Sequence, residues 1–518
     1  MQTIHYILYA LATLILVSCY DDKGNYDYTA IPDAVVDTVG CGIRSSYALD
    51  RFDRLTLEPK VKVDGQTADD SKLDYVWTMY SATSGTGADI AIDTLGHERR
   101  LDAQLTKAGG SYIIQLSVTN PANGIKTFFK VNCLLEEAIT AGWMLLYEPT
   151  AHPGTSDVGL VVNPLVKLNI MKNREFWNIY SAANGAPIPG KPIRGLRTVV
   201  SMATAECIFA TENTLVGVDN DTFEQRLSIG DFFFNTPKPT HIDYYGPFGW
   251  IQGEQIIMDG QFYTNAMPMS RDYKFGASII GDYGELAPWA GFTMNLVNGV
   301  VYDQTNQRFL FVPYNGASYS SFTPQDATVP FDVNNVGMRL ELADWGRNDY
   351  DYLLMSRGDE RFLAIANFKT NFTSEANDHV GQALYNISAS ENIRQATQFV
   401  SSYAGAHVFY SAGNTLYRLY YTKNDKAEAV WTAPNADEEI TCVRLQKFEH
   451  QTLRSMMMPN LNAVLHIATY NNQTGQGKLY QYTIKFSDGS IKPDGEKYEY
   501  NVPGRVKAMS WKWELVTS

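Results

Sequence analysis

The chain is poor in the residues that usually announce chemistry. Five cysteines are spread over 518 residues, few for so long a chain. The eight histidines (His5, His97, His152, His241, His379, His407, His450 and His466) are scattered and form no spacing that a zinc site needs. A His-Glu-x-x-His motif, a Gly-x-Ser-x-Gly elbow and a phosphate-binding glycine loop are all missing. No catalytic residue, metal set or cofactor is therefore assigned. Positive charge is also short, with 42 Lys and Arg against 56 Asp and Glu, a net −14. Nucleic-acid binding calls for a basic face, so that partner class is excluded. The same balance favours solubility and disfavours anionic lipid headgroups. After residue 18 no stretch is long and apolar enough to span a bilayer. Long amphipathic helices are missing too, and the best helical candidate, Ser390 to Ser402, is short.

What is present begins at the N-terminus. An apolar stretch from Ile7 to Val17 runs into Leu16-Val17-Ser18-Cys19. It falls well short of the roughly 20 residues a spanning helix needs. The run resembles a bacterial lipobox, in which the cysteine is cut free and carries a lipid. That resemblance implies that residues 1–18 are a targeting segment and that Cys19 is lipidated. Residues 19–34, opening Cys19-Tyr-Asp-Asp-Lys-Gly-Asn-Tyr-Asp-Tyr28, bury too little apolar area to fold and read as a tether. The acidic pair Asp21-Asp22 is similar to the surface-export signal of Bacteroidetes lipoproteins. It implies an outer-membrane protein facing the exterior, anchored through lipid. With Cys19 so used, Cys41, Cys133, Cys207 and Cys442 remain. An oxidising compartment permits a Cys41–Cys133 disulfide, while buried free thiols fit the spacing as well.

Aromatic residues make up 13% of the chain, dominated by 32 tyrosines. With short segments punctuated by Gly, Asn and Asp, this predicts an all-β protein. About 500 residues are too many for one core, so two or more domains are expected. Residues 35–136 read as a β-sandwich with strands near 35–39, 55–63, 73–80, 111–119 and 126–133. In Tyr112 to Thr119 the alternation places Ile114, Leu116 and Val118 inward and Gln115, Ser117 and Thr119 outward. Trp77 holds the place of a central-strand tryptophan between two sheets. Tyr75-Val76-Trp77, Gly110-Ser111-Tyr112 and Val118-Thr119-Asn120 resemble the polycystic-kidney-disease (PKD) type of Ig-like domain. The family's Asp-Phe-Gly-Asp-Gly segment is replaced here by Thr78-Met79-Tyr80-Ser81-Ala82. Taken with the opening tether, the chain resembles PKD-like lipoproteins of Bacteroidetes, commonly encoded beside outer-membrane nutrient receptors. The resemblance implies no activity.

Residues 137–518 carry a recurring motif, a small or polar residue followed by two apolar or aromatic ones. It occurs in Asn213-Thr-Leu-Val-Gly-Val218, Gly260-Gln-Phe-Tyr-Thr264, Gln307-Arg-Phe-Leu-Phe311, Glu360-Arg-Phe-Leu-Ala-Ile365, Asn414-Thr-Leu-Tyr-Arg-Leu419 and Gly477-Lys-Leu-Tyr-Gln-Tyr482. Its spacing of about 45 to 65 residues predicts a β-propeller of about seven blades, each motif an inner strand after a tight turn. Further sandwiches are the alternative. Residues 502–516, with Trp511 and Trp513, are expected to return and complete the first blade, removing an exposed edge.

The aromatic-rich stretch Phe232 to Trp250 contains three prolines and two glycines, which argue for rings carried on a loop. Segments 288–292, 314–319 and 344–347 share that character. Tyr244, Tyr245, Trp250, Trp289 and Trp345 are the candidate ligand-binding face, because sugars stack on rings and bond through their hydroxyls. Rings that plug gaps between blades are the structural alternative. Asp219-Asn220-Asp221 offers oxygens for calcium but reads as a solvated turn. The functional expectation is a non-catalytic binding lipoprotein in nutrient capture, with a glycan ligand and a receptor or transporter partner. A propeller glycoside hydrolase or lyase, and a spacer or lid of a transporter complex, are the alternatives.

Overall fold

The structure is a computed structural model. It describes residues 34–512, apart from short segments at 38–39, 51–52, 84–90, 106, 108, 137–140, 169, 171, 201–204, 249–252, 266–273, 292–298, 314–315, 369–377, 424–425 and 448–457. Cys19, the tether, Trp250 and Trp513 lie outside the described residues. The chain divides into two compact units, residues 1–138 and 139–518.

The first unit is a sandwich of short sheets. Its main sheet orders Ser46–Asp50, Ile125–Glu136, Gly110–Asn120, Asp74–Ser81 and Asp93–Gly96. A three-stranded sheet (Ala34–Asp37, Lys60–Val63, Gln66–Thr67) and the pair Arg54–Leu57 with Leu101–Gln104 complete it. Ile114, Leu116 and Val118 are fully buried, as their alternation requires, and join Trp77 in one core. The Trp77 indole donates to the Glu98 carbonyl at 3.0 Å, so its one polar atom is satisfied inside. The short strands at 46–50, 93–96 and 101–104 escape sequence reading, because four or five residues of mixed polarity show no period. Among the described residues Cys41, Cys133, Cys207 and Cys442 form no disulfide. Burial pushes the Cys133 thiol up to about 11, which makes it an inert core residue.

The second unit is a seven-bladed propeller. Its seven sheets of three to five antiparallel strands follow one another along the chain. In blade order the inner strands are Gly504–Lys512, Pro192–Val200, Ile242–Phe248, Leu286–Gly291, Arg339–Trp345, Gln398–Ser401 and Glu438–Leu445. Each packs against the next, and the last returns to the first. Blade 1 is composite. Gly504–Lys512 pairs antiparallel with Gly142–Pro149, so the C-terminal strand closes the ring. Gln398–Ser401 and a 3₁₀ turn at Ile393–Gln395 replace the helix expected over 390–402. Phe399 and Val400 enter cores on opposite sides of blade 6, which a strand can do and one face of a helix cannot.

The recurring motif is the third strand of its blade rather than the inner one. The strands are Leu215–Asp219, Gln261–Asn265, Arg308–Val312, Glu360–Ala366, Thr415–Leu419 and Gln476–Thr483 in blades 2 to 7. The sheet faces explain its two apolar residues. Between each pair of blades lies one apolar core, and successive strand residues point to opposite faces. Thus Phe362 enters the core between blades 4 and 5, and Leu363 the core between blades 5 and 6. Leu416 and Tyr417, then Leu479 and Tyr480, divide in the same way. The preceding turn is tight. In blade 3, Asp259 and Gly260 take φ of 50° and 71°, the left-handed pair of a type I′ hairpin.

Blades 7 and 1 share a buried polar chain. The Gln446 amide donates to the carbonyls of Leu165 (2.8 Å) and Pro459 (2.5 Å), which turns its Oε1 toward His466 Nε2 at 3.0 Å. Asn163 donates to Gln481 Oε1 at 2.5 Å, which turns the Gln481 amide onto His466 Nδ1 at 3.0 Å. The chain closes only around a neutral imidazole with its proton on Nε2. The ring also stacks on Trp143 at 3.6 Å. Burial drives the pKa of His466 well down, and that of buried His407 to about 4. Both bind protons more readily unfolded than folded. Their contribution is complete above pH 6.5 and lost as pH falls below it, at about 1.4 kcal/mol per pH unit for each group. Denaturant melts between pH 6.5 and 5 should show this slope, and His407→Gln should remove about half. A wild-type stability that is flat across that interval would contradict both assignments.

Candidate binding site in the central channel

The inner strands surround a cavity of about 480 Å³ to which all seven blades contribute. Strand edges facing a channel have no neighbour to bond, so proline is tolerated there. This is why Pro192, Pro247 and Pro288 sit within inner strands. It also corrects the loop assignment for the aromatic face. Tyr244 and Tyr245 belong to the inner strand of blade 3, Trp289 to that of blade 4, and Trp345 ends that of blade 5.

Four of the five nominated rings border the cavity. Trp289 is half-buried and meets Phe309 edge-on at 5.9 Å. Tyr244, also half-buried, donates to the Ala290 carbonyl at 3.4 Å, tying blade 3 to blade 4. Trp345 meets Tyr403 edge-on at 5.6 Å, with the Lys447 ammonium 5.2 Å from its ring centre. Tyr245 differs. Its side chain is 1% exposed, packs in the core between blades 2 and 3, and donates to Glu254 Oε1 at 3.0 Å. It is a core ring, so its replacement would report on folding more than on ligand. Trp250 is outside the described residues. Tyr319, from the third aromatic segment, packs against Tyr283 and Phe262.

The cavity is electrically divided. Arg194, Arg444 and Lys507 come from blades 2, 7 and 1, while Asp243, Glu341, Asp344 and Asp351 come from blades 3 and 5. Arg194 donates to Gln398 Oε1 at 2.8 Å. Its pKa is lowered by burial and by the Arg444 charge, and that of Lys507 by burial and by Arg194. Lys507 is exposed toward the channel. Burial raises the Asp243 carboxyl, against the opposing pull of His241, whose Nε2 lies 3.3 Å away. Sequence reading missed the cations. A single Arg or Lys in an apolar strand looks the same whether it faces solvent or a channel. The Asp219-Asn220-Asp221 turn is held by its own contacts. Asp219 Oδ1 accepts from the backbone of Asp221 and Thr222, and Oδ2 pairs with Arg226 at 2.7 Å.

Comparison with known proteins bears on the first unit and the start of the second. Residues 19–192 match the PKD-like family. The match begins at Cys19 and runs through the sandwich into blade 1. No curated protein matches the chain. Among solved structures, a quinonprotein alcohol dehydrogenase-like protein from Bacteroides thetaiotaomicron is similar over 93% of this chain and 99% of its own. Its identity is 11% and the TM-score 0.42. AztD from Citrobacter koseri is similar over 86% of this chain and all of its own, at 9% identity and a TM-score of 0.34. The PQQ-bound aldose sugar dehydrogenase from Streptomyces coelicolor covers 60% of this chain and 96% of its own, at 12% identity and a TM-score of 0.26. Likenesses this distant say nothing of the chemistry of this chain.

Proposed function

We propose that the protein is a non-catalytic binding lipoprotein that takes a sugar ligand into the mouth of the propeller channel. Lipid on Cys19 would hold it at the outer membrane, facing outward, beside a nutrient receptor or transporter. The family match that starts at Cys19 supports that address. The observation that carries the binding reading is the convergence of Tyr244, Trp289 and Trp345 on one cavity. They come from three consecutive inner strands, with the carboxylates of Asp243 and Glu341 on the same strands. Rings offer stacking surface to the apolar face of a sugar, and the polar groups match its hydroxyls. The volume of about 480 Å³ suits a small ligand.

Trp289→Ala and Trp345→Ala should each weaken glycan binding about tenfold, the equivalent of losing roughly 1.4 kcal/mol. Calorimetry against an oligosaccharide panel, with circular dichroism to confirm folding, measures this. Unchanged affinity in both variants would remove the aromatic face from the binding site. One observation favours a second reading, hydrolase or lyase. The raised carboxyl of Asp243 is what a general acid requires. Oligosaccharide recovered intact after long incubation would dispose of it.

A further inference from the structure

We infer that the channel recognises an oxyanion, so that the sugar of the proposed function carries a carboxylate or sulfate. The inference rests on that reading and narrows it. Lys507, Arg194 and Arg444 stand on three consecutive inner strands, those of blades 1, 2 and 7, and all border the same cavity. Among the described residues neither Arg194 nor Lys507 has an ion-pair partner, and the guanidinium of Arg194 is held by a neutral amide.

This departs from how the chain treats cations elsewhere. Lys447 is matched to Asp344 at 2.5 Å, Arg226 to Asp219 at 2.7 Å, and Lys478 to Glu499 at 2.6 Å. Among the described residues no acid of the cavity forms an ion pair with Arg194 or Lys507, although the Asp344 charge offsets part of the repulsion at Arg194. Asp344 is already engaged by Lys447, and Asp243 faces His241. Like charges crowded around one cavity repel one another in the empty protein. An entering oxyanion would relieve that repulsion, and a guanidinium fork donates to carboxylate and sulfate alike. Burial first, and then the neighbouring cation, lowers the pKa of both Arg194 and Lys507. The Tyr244 and Trp289 rings lie on blades 3 and 4, leaving the remainder of the sugar an aromatic wall.

The test compares four probes on the full chain by calorimetry. They are a uronate oligosaccharide, its carboxyl-reduced neutral counterpart, a sulfated oligosaccharide, and inorganic sulfate. The expected result is at least tenfold tighter binding of one acidic oligosaccharide than of the neutral one, weakening as salt rises. The acidic probe that wins names the oxyanion. Arg194→Gln and Lys507→Gln should each erase the preference. Lys507→Gln should leave the melting temperature of the empty protein unchanged or raised, which loss of a merely structural contact would not do. Equal binding of acidic and neutral oligosaccharides would overturn the oxyanion inference and leave the glycan reading standing. Binding of inorganic sulfate as tight as any oligosaccharide would keep the anion site and overturn the glycan reading. Absence of binding by all four would overturn both.

Discussion

Replacing Lys447 with methionine is expected to destabilise the propeller by about 3–5 kcal/mol, because it strands a buried carboxylate. The ammonium lies 2.5 Å from Asp344 Oδ2, and the two side chains are 4% and 6% exposed. It also donates to the carbonyls of Trp345 at 2.5 Å and Ser401 at 3.0 Å. Those acceptors belong to the inner strands of blades 5 and 6, while Lys447 follows that of blade 7. One cation thus ties three blades. Asp344 keeps the Ser401 amide as a donor at 2.8 Å, which offsets part of the lost interaction and no more. The double variant Lys447→Met with Asp344→Asn should recover most of the loss, since no uncompensated charge then remains. Denaturant melts of the four species form the cycle. A single-variant cost below about 1 kcal/mol would show that the pair contributes little to stability. Ligand affinity should fall as well in Lys447→Met, because the ammonium sits against the Trp345 ring at the cavity.

Much of this architecture was legible for a physical reason. A strand buried on both faces must place apolar residues at successive positions, and that is the signature in Phe362-Leu363 and Leu479-Tyr480. Such a strand repeats visibly along the chain. Its place within the blade is not legible, because burial on two faces does not say how many strands lie toward the axis. The inner strands were hidden for the opposite reason. One edge faces the channel, so Pro192, Pro288 and charges such as Arg194 enter and destroy the expected alternation. The same feature made the aromatic residues near 244 and 289 look like loop residues. Their chemistry was readable and their scaffold was not. The cations of the cavity were illegible altogether, because Arg194, Arg444 and Lys507 are brought together by ring closure alone. In the sequence His466 is one of eight scattered histidines, and its role emerges only from the orientation of Gln446 and Gln481 around it.

A chain ending at Pro503 is expected to lose the propeller outright rather than fold with one strand fewer. Gly504–Lys512 pairs along the whole of Gly142–Pro149, with a single irregularity at Leu146/Tyr147. Val506 and Met509 are buried in the core between blades 7 and 1, and Ala508 in the core between blades 1 and 2. The Trp511 indole donates to the Val166 carbonyl at 2.9 Å. Exposing the Val and Met side chains alone costs about 1.5–3 kcal/mol each. The ladder hydrogen bonds add roughly 0.5–1.5 kcal/mol apiece. The sum rivals the 5–15 kcal/mol that usually holds a domain folded. The strand Gly142–Pro149 would then be an open apolar edge, a template for pairing with another chain. Truncated protein should therefore associate in sedimentation and lose its cooperative melt. A synthetic peptide of residues 504–512 supplied in trans should restore the melt, since it returns the missing strand to the same register. A monomeric truncated chain that melts as wild type would show that the ring does not depend on this closure.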